Sequence, residues 1–194
     1  MALKGYYVEY TFKLPSNTRH SSYNYQKLFR AIYGYTQNVT KVNGKTYRYH
    51  RKGILSDVPH IRPGKKCSVI IPTDPLKPFV NFLETGKNPA HKWQTRGAWK
   101  ATYRCEDLNV PEKDAARAID ELLERSYVDV ADGHQKISTA LGAVASGQGA
   151  DPGYAHHVLS EAAKIVAGPW FKPAAQQSEK AASFYENYIK IKKK

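Results

Sequence analysis

Residues 38–52 read NVTKVNGKTYRYHRK, and this stretch decides how the first half of the chain is read. Asn43-Gly44 stands between Asn38–Val42 and Lys45–Lys52, and an Asn-Gly pair between two such runs has the composition of a type I′ turn joining antiparallel strands. Alternation along the strands then puts Lys41, Arg48, His50 and Lys52 on one face and Lys45, Tyr47, Tyr49 and Arg51 on the other. The expected hairpin is therefore cationic on both faces and aromatic on one.

Working outward, Tyr6, Val8, Tyr10, Phe12 and Leu14 alternate with Tyr7, Glu9, Thr11 and Lys13, which predicts a half-buried strand ended by Pro15-Ser16-Asn17. Tyr25, Leu28, Phe29 and Ile32 fall at helical spacing, so a helix is expected over 23–33 with Gly34 closing it. Beyond the hairpin, Cys67–Ile71 reads as a short buried strand, and residues 75–84 as a helix with Leu76, Phe79, Val80 and Leu83 on one side. Residues 95–105 alternate again, with Trp99, Ala101 and Tyr103 opposite Arg96, Lys100 and Arg104. The order strand, helix, hairpin, strand, helix, strand is that of a split βαβ, or ferredoxin-like, sheet with two helices on one face. Its other face would lie open to a ligand.

After Cys105 the texture changes. Helices are expected from about Pro111 to Arg125 and over 136–145, 154–167 and 174–189, with a short strand at 127–130 and a turn at Asp132-Gly133. The expected architecture is thus α+β: a basic ferredoxin-like domain over 1–105, then a small helical domain over 106–194.

Charge separates the two halves. The net charge is +13, with 19 Lys and Arg against 4 Asp and Glu in residues 1–105, and 11 against 13 in residues 106–194. Ten of the 14 tyrosines also lie in the first half. Segregated cations interleaved with rings suit a dense anion, because cations neutralise phosphates and tyrosines stack on unpaired bases. The residues expected to bind nucleic acid are Lys41, Lys45, Tyr47, Arg48, Tyr49, Arg51, Lys52, Arg62, Lys65, Lys66, Arg96, Lys100 and Arg104. RNA is favoured over DNA, since a tyrosine-rich sheet suits splayed single strands and no helix-turn-helix is evident. The expectation is a cytoplasmic binding protein without a cofactor, within a ribonucleoprotein, its second half available to a protein partner.

Two other readings stay open. His20, Tyr23 and Lys27 supply the acid, base and charge-stabilising groups that a metal-independent endoribonuclease needs. A DNA-binding protein of a virus or mobile element is the third. Other motifs carry less. His157 and Glu161 share a helix face beside His156, but that spacing is also an ordinary i,i+4 pair, and no metal is expected. Gly147-Gln148-Gly149 lacks the Gly-Lys-Ser/Thr ending of a phosphate loop. Arg96–Tyr103 meets the RNA-recognition-motif signature at its first two and last positions only. Cys67 and Cys105 have no CxxC spacing and read as free thiols in a reducing compartment. No apolar run approaches a membrane span, and Lys4, Glu9 and Lys13 interrupt what a secretory signal would need to be apolar.

Overall fold

A computed structural model of the chain describes residues 2–15, 19, 21–87, 99–130, 133–148 and 151–193, and every structural statement below concerns those residues. In chain order the elements are β1 (Ala2–Lys13), α1 (Tyr23–Tyr33), β2 (Tyr35–Thr40), β3 (Thr46–Arg51), β4 (Ser68–Ile71), α2 (Leu76–Thr85), β5 (Lys100–Pro111), α3 (Glu112–Arg125), β6 (Tyr127–Val130), β7 (Gly133–Lys136), α4 (Ile137–Ala145), α5 (Pro152–Val166), α6 (Phe171–Ala175) and α7 (Glu179–Lys192). The architecture is mixed α+β with small antiparallel sheets. Two compact bodies divide the chain: Lys4–Gln37 with His50–Asn109, and Met1–Leu3, Asn38–Tyr49 and Val110–Lys194.

The first body is built on a three-stranded sheet of order β4-β1-β5. Alternation decides its two faces. Val8, Tyr10 and Phe12 point inward, and the antiparallel register Val8↔Val69 and Tyr6↔Ile71 brings two β4 side chains to the same side. Against them pack Tyr25, Leu28, Ala31 and Ile32 of α1 and Phe79, Phe82 and Leu83 of α2. Each fully buried large side chain of this kind contributes roughly 1.5–3 kcal/mol. Both helices have clear ends. Ser22 caps α1 by accepting the Tyr25 N–H at 3.3 Å, and the Gly86 N–H donates to the Phe82 carbonyl at 2.8 Å after α2. A fourth chain segment reaches the sheet only as a bridge, Ile61 pairing antiparallel with Ile70 through two 2.9 Å hydrogen bonds.

The chain leaves α1 at Gly34 and returns at Gly53, and the two glycines touch. A Cβ on Gly53 would lie 2.3 Å from the Gly34 nitrogen and 2.6 Å from the carbonyl carbon and oxygen of Ile32. This approach lets the returning chain finish the helix. The N–H groups of Ile54 and Leu55 donate to the carbonyls of Ala31 and Ile32 at 2.9 and 2.8 Å, and the Ser56 hydroxyl donates to that of Tyr33 at 3.3 Å. Three carbonyls that a helix end leaves unpaired are thereby satisfied.

Between those glycines runs the hairpin β2-β3, and its turn corrects the sequence expectation. The Gly44 N–H donates to the Lys41 carbonyl, and the Lys41 N–H to the Lys45 carbonyl, both at 2.9 Å. Gly44 takes φ +77°, whereas Asn43 is not in the left-handed region. A type I′ turn needs both, so the loop is instead the three-residue form, Val42-Asn43-Gly44, with the glycine as a bulge. One extra loop residue shifts the register by one. Thr40 lies opposite Thr46 with hydroxyls 2.9 Å apart, and Thr36 opposite His50 at 3.1 Å. Lys41 therefore moves to the face of Lys45, Tyr47, Tyr49 and Arg51, and away from Arg48 and His50.

The second body is largely helical. α3 buries Ala115, Ala118, Ile119 and Leu122, α4 Ile137, Ala140, Leu141 and Val144, and Trp170 and Phe171 are fully enclosed. Two expectations need correction here. Beyond the expected turn, residues 133–136 form a second strand paired with 127–130, so the helix expected from 136 begins at Ile137. The helix expected over 174–189 is two helices, α6 and α7, because Ser178 caps α7 by accepting the Ala181 N–H at 3.1 Å while donating its hydroxyl to Asp120 at 2.5 Å. Glu124 on α3 is held by both Lys136 and Lys180, and hydrogen bonds from the two ammonium groups lower its pKa to about 2. No described helix is long and apolar enough to cross a membrane.

Candidate nucleic-acid interface

The first body holds 16 Lys and Arg against 6 Asp and Glu, a surplus of ten, and the second 14 against 11. The surplus is therefore concentrated on the sheet body. Its helix-covered face is core, so the opposite face must be outward. There β1 presents Tyr7, Glu9, Thr11 and Lys13, β4 presents Ile70, and Ile61 is bridged to it. Trp99, just before β5, and Ala101 and Cys105 on it pack toward the core, which leaves Lys100, Thr102 and Arg104 on the outward side. Tyr103 points the other way, its hydroxyl donating to Glu84 of α2 at 2.5 Å.

The loop 62–67 borders this face. Lys65 reaches Glu9 at 2.7 Å, and the Ser68 hydroxyl donates to the Lys65 carbonyl at 2.7 Å, fixing the loop against β1. Its other two cations lie on tyrosine rings. The Arg62 guanidinium is 3.9 Å from the centroid of Tyr33, and the Lys66 ammonium 5.9 Å from that of Tyr25. Such pairs contribute about 0.5–1 kcal/mol at the surface and hold each cation in place. Beneath them, the Tyr33 and Tyr10 hydroxyls are 3.0 Å apart, and His60 Nδ1 lies 2.9 Å from the Val58 carbonyl oxygen. Burial pushes the phenols of Tyr10, Tyr25 and Tyr33 above their ordinary range, as it does the Cys67 thiol. These three tyrosines serve the core and the loop.

The hairpin residues divide as the corrected register requires. Lys41 covers the Tyr47 ring at 4.4 Å. Tyr47 and Tyr49 are both half-buried, while Lys45, Arg48 and Arg51 are exposed. Lys52 is occupied by Asp57 at 2.8 Å, and Arg104 by Glu106 at 2.5 Å. Among the described residues Lys13, Lys45, Arg48, Lys77, Lys87 and Lys100 are exposed and make no ion pair. Arg96 lies outside the described residues.

His20 also lies outside them, so the acid–base trio is represented by Tyr23 and Lys27 alone. They sit on one side of α1, four residues apart, with Arg30 three further on. Arg30 was not among the expected site residues, nor was Tyr35, yet the Arg30 guanidinium lies 5.7 Å from the Tyr23 centroid and 5.0 Å from that of Tyr35. The signal was available in the sequence, since Tyr23, Lys27 and Arg30 fall opposite the apolar stripe Tyr25, Leu28 and Ile32. On α5, His156 and His157 are exposed and Glu161 is held by Lys164. Among the described residues no group of three His, Cys, Asp or Glu is arranged to hold a metal ion.

No protein-family model, curated protein or solved structure matches the chain.

Proposed function

We propose that the chain binds single-stranded nucleic acid, RNA in preference to DNA, as a binding component of a ribonucleoprotein. The observation that carries this reading is the charge surplus on the sheet body, sixteen Lys and Arg against six Asp and Glu, beside an outward sheet face. The order β4-β1-β5 with α1 and α2 on one side supports a ferredoxin-like reading, in which the segment at Ile61 is a vestige of one edge strand and the hairpin is an excursion from the sheet. In that reading the outward face, which carries Tyr7, Lys13, Lys100 and Arg104, receives an extended strand. The hairpin cations Lys45 and Arg48 form a separate cluster. Half-exposed rings among cations favour unpaired bases over a duplex, whose bases offer no free face.

The test is affinity for a single-stranded RNA across a salt series. For about six phosphate contacts it falls on the order of 10³-fold or more between roughly 50 and 200 mM salt. An affinity that stays flat, or one equal for a duplex of the same length, removes the proposal.

A further inference from the structure

Among the described residues, one large aromatic side chain stays mostly in solvent. Of the tyrosines described, Tyr23 has most of its side-chain surface in solvent, at 65% relative exposure; the next most exposed large aromatic, Tyr103 at 39%, is tied to Glu84. Tyr23 is also placed deliberately. It is the first residue of α1, behind the Ser22 cap, on the helix face away from the core. Arg30, two turns on, brings its guanidinium within 5.7 Å of the Tyr23 ring and 5.0 Å of the Tyr35 ring, and Gln26 faces the same guanidinium at 3.5 Å. A ring left in water costs free energy that burial would recover. A ring left in water beside a ring-stacked guanidinium, on a body with ten surplus cations, is a platform for a flat, electron-rich partner joined to a phosphate.

We infer that Tyr23, with Arg30 and Tyr35 behind it, is a stacking subsite for one unpaired nucleobase of a bound strand, the base on the open face of Tyr23 and its phosphate toward Arg30. This rests on the single-strand reading above and moves the principal stacking ring from the hairpin to α1. Tyr47 and Tyr49, the rings that the sequence favoured, are half-buried, and Lys41 already covers the first of them.

The experiment compares two probes on the full chain: a single-stranded oligoadenylate, and an abasic sugar–phosphate strand of the same length, which carries the charge without the bases. Tyr23→Ala lowers affinity for oligoadenylate by roughly 5- to 150-fold, the range expected for one lost stack. It leaves affinity for the abasic strand and the salt slope unchanged, and Tyr23→Phe restores binding of oligoadenylate. Because Tyr23 is mostly exposed, the melting temperature of both variants should match that of the parent. Equal loss on both probes, or no loss on oligoadenylate while the parent still prefers it to the abasic strand, overturns the subsite and leaves the single-strand reading standing. A parent that binds neither probe, or both equally, overturns that reading and the subsite with it.

Discussion

Gly53→Ala tests how the hairpin is anchored, and the magnitude follows from the geometry at its base. The added methyl would sit 2.3 Å from the Gly34 nitrogen and 2.6 Å from the Ile32 carbonyl carbon and oxygen. All of these are backbone atoms, so no flexible side chain can swing aside. Relief requires the segment at 53–55 to withdraw by about 1 Å, toward an ordinary van der Waals separation. The 2.9 and 2.8 Å hydrogen bonds from Ile54 and Leu55 to Ala31 and Ile32 then pass beyond bonding distance, and fully buried Leu55 is dragged from its place. Two unsatisfied backbone pairs at about 1–3 kcal/mol each, eased by relaxation, give a loss of about 2–4 kcal/mol. In a thermal melt this lowers Tm by roughly 5–15 °C. Gly44→Ala supplies the comparison, because Gly44 has φ +77° but no atom within 4 Å of a Cβ. It therefore suffers only the left-handed backbone penalty of about 1–2 kcal/mol. If Gly53→Ala costs less than Gly44→Ala in both melts and urea titrations, the glycine contact does not anchor the hairpin.

Other outcomes follow from the same packing and hydrogen bonds. Ser22→Ala removes the α1 cap and should lower urea stability by about 1 kcal/mol. Tyr10 and Tyr33 have phenol pKa values raised by burial, so the folded state keeps protons that the unfolded chain releases near pH 10. The contribution of these two phenols should thus be constant below about pH 10 and fall above it, and Tyr10→Phe should flatten that alkaline fall in a circular-dichroism pH titration; an identical alkaline profile would count against it. Lys100→Ala and Arg48→Ala should each make the salt slope on single-stranded RNA shallower by about 0.7. Lys52→Ala, whose ammonium is shared with Asp57, should change it less, and equal changes for all three would contradict the proposed weighting.

The elements with strong periodicity were legible in the sequence. Val8, Tyr10 and Phe12 alternate and are all buried, and α1 spans Tyr23–Tyr33 as its apolar spacing requires. What escaped depended on single hydrogen bonds or on neighbours distant in sequence. Asn43-Gly44 is compatible with a two-residue or a three-residue loop, and the choice, which moved Lys41 across the hairpin, shows only in the Lys41–Gly44 and Lys41–Lys45 bonds. Residues 133–136 are polar and carry no strand signal, and they become a strand by pairing with 127–130. Ser178 divides the helix expected over 174–189, capping α7 while its hydroxyl donates to Asp120, 58 positions earlier. The charge of the candidate interface was visible as composition, but its pairing was not: Lys52, Lys65 and Arg104 have carboxylates beside them, whereas Lys100 and Arg48 do not. Helical spacing already puts Tyr23 opposite the apolar stripe of α1, but among the fourteen tyrosines only packing shows that it is the most exposed of those described.

The edge of β4 has a consequence for self-association. The strand is four residues long and its outer side is paired only where Ile61 meets Ile70. An exposed sheet edge invites the strand of another molecule, and short length together with charged neighbours is how soluble proteins discourage it. Arg62, beside the bridge, and Lys65 and Lys66, just before the strand, are placed to act as gatekeepers. Removing all three charges to abolish nucleic-acid binding would also unguard this edge. The same substitutions should raise light scattering at high protein concentration, and bound polyanion, by screening these charges, should promote pairing between copies unless the strand itself covers the edge.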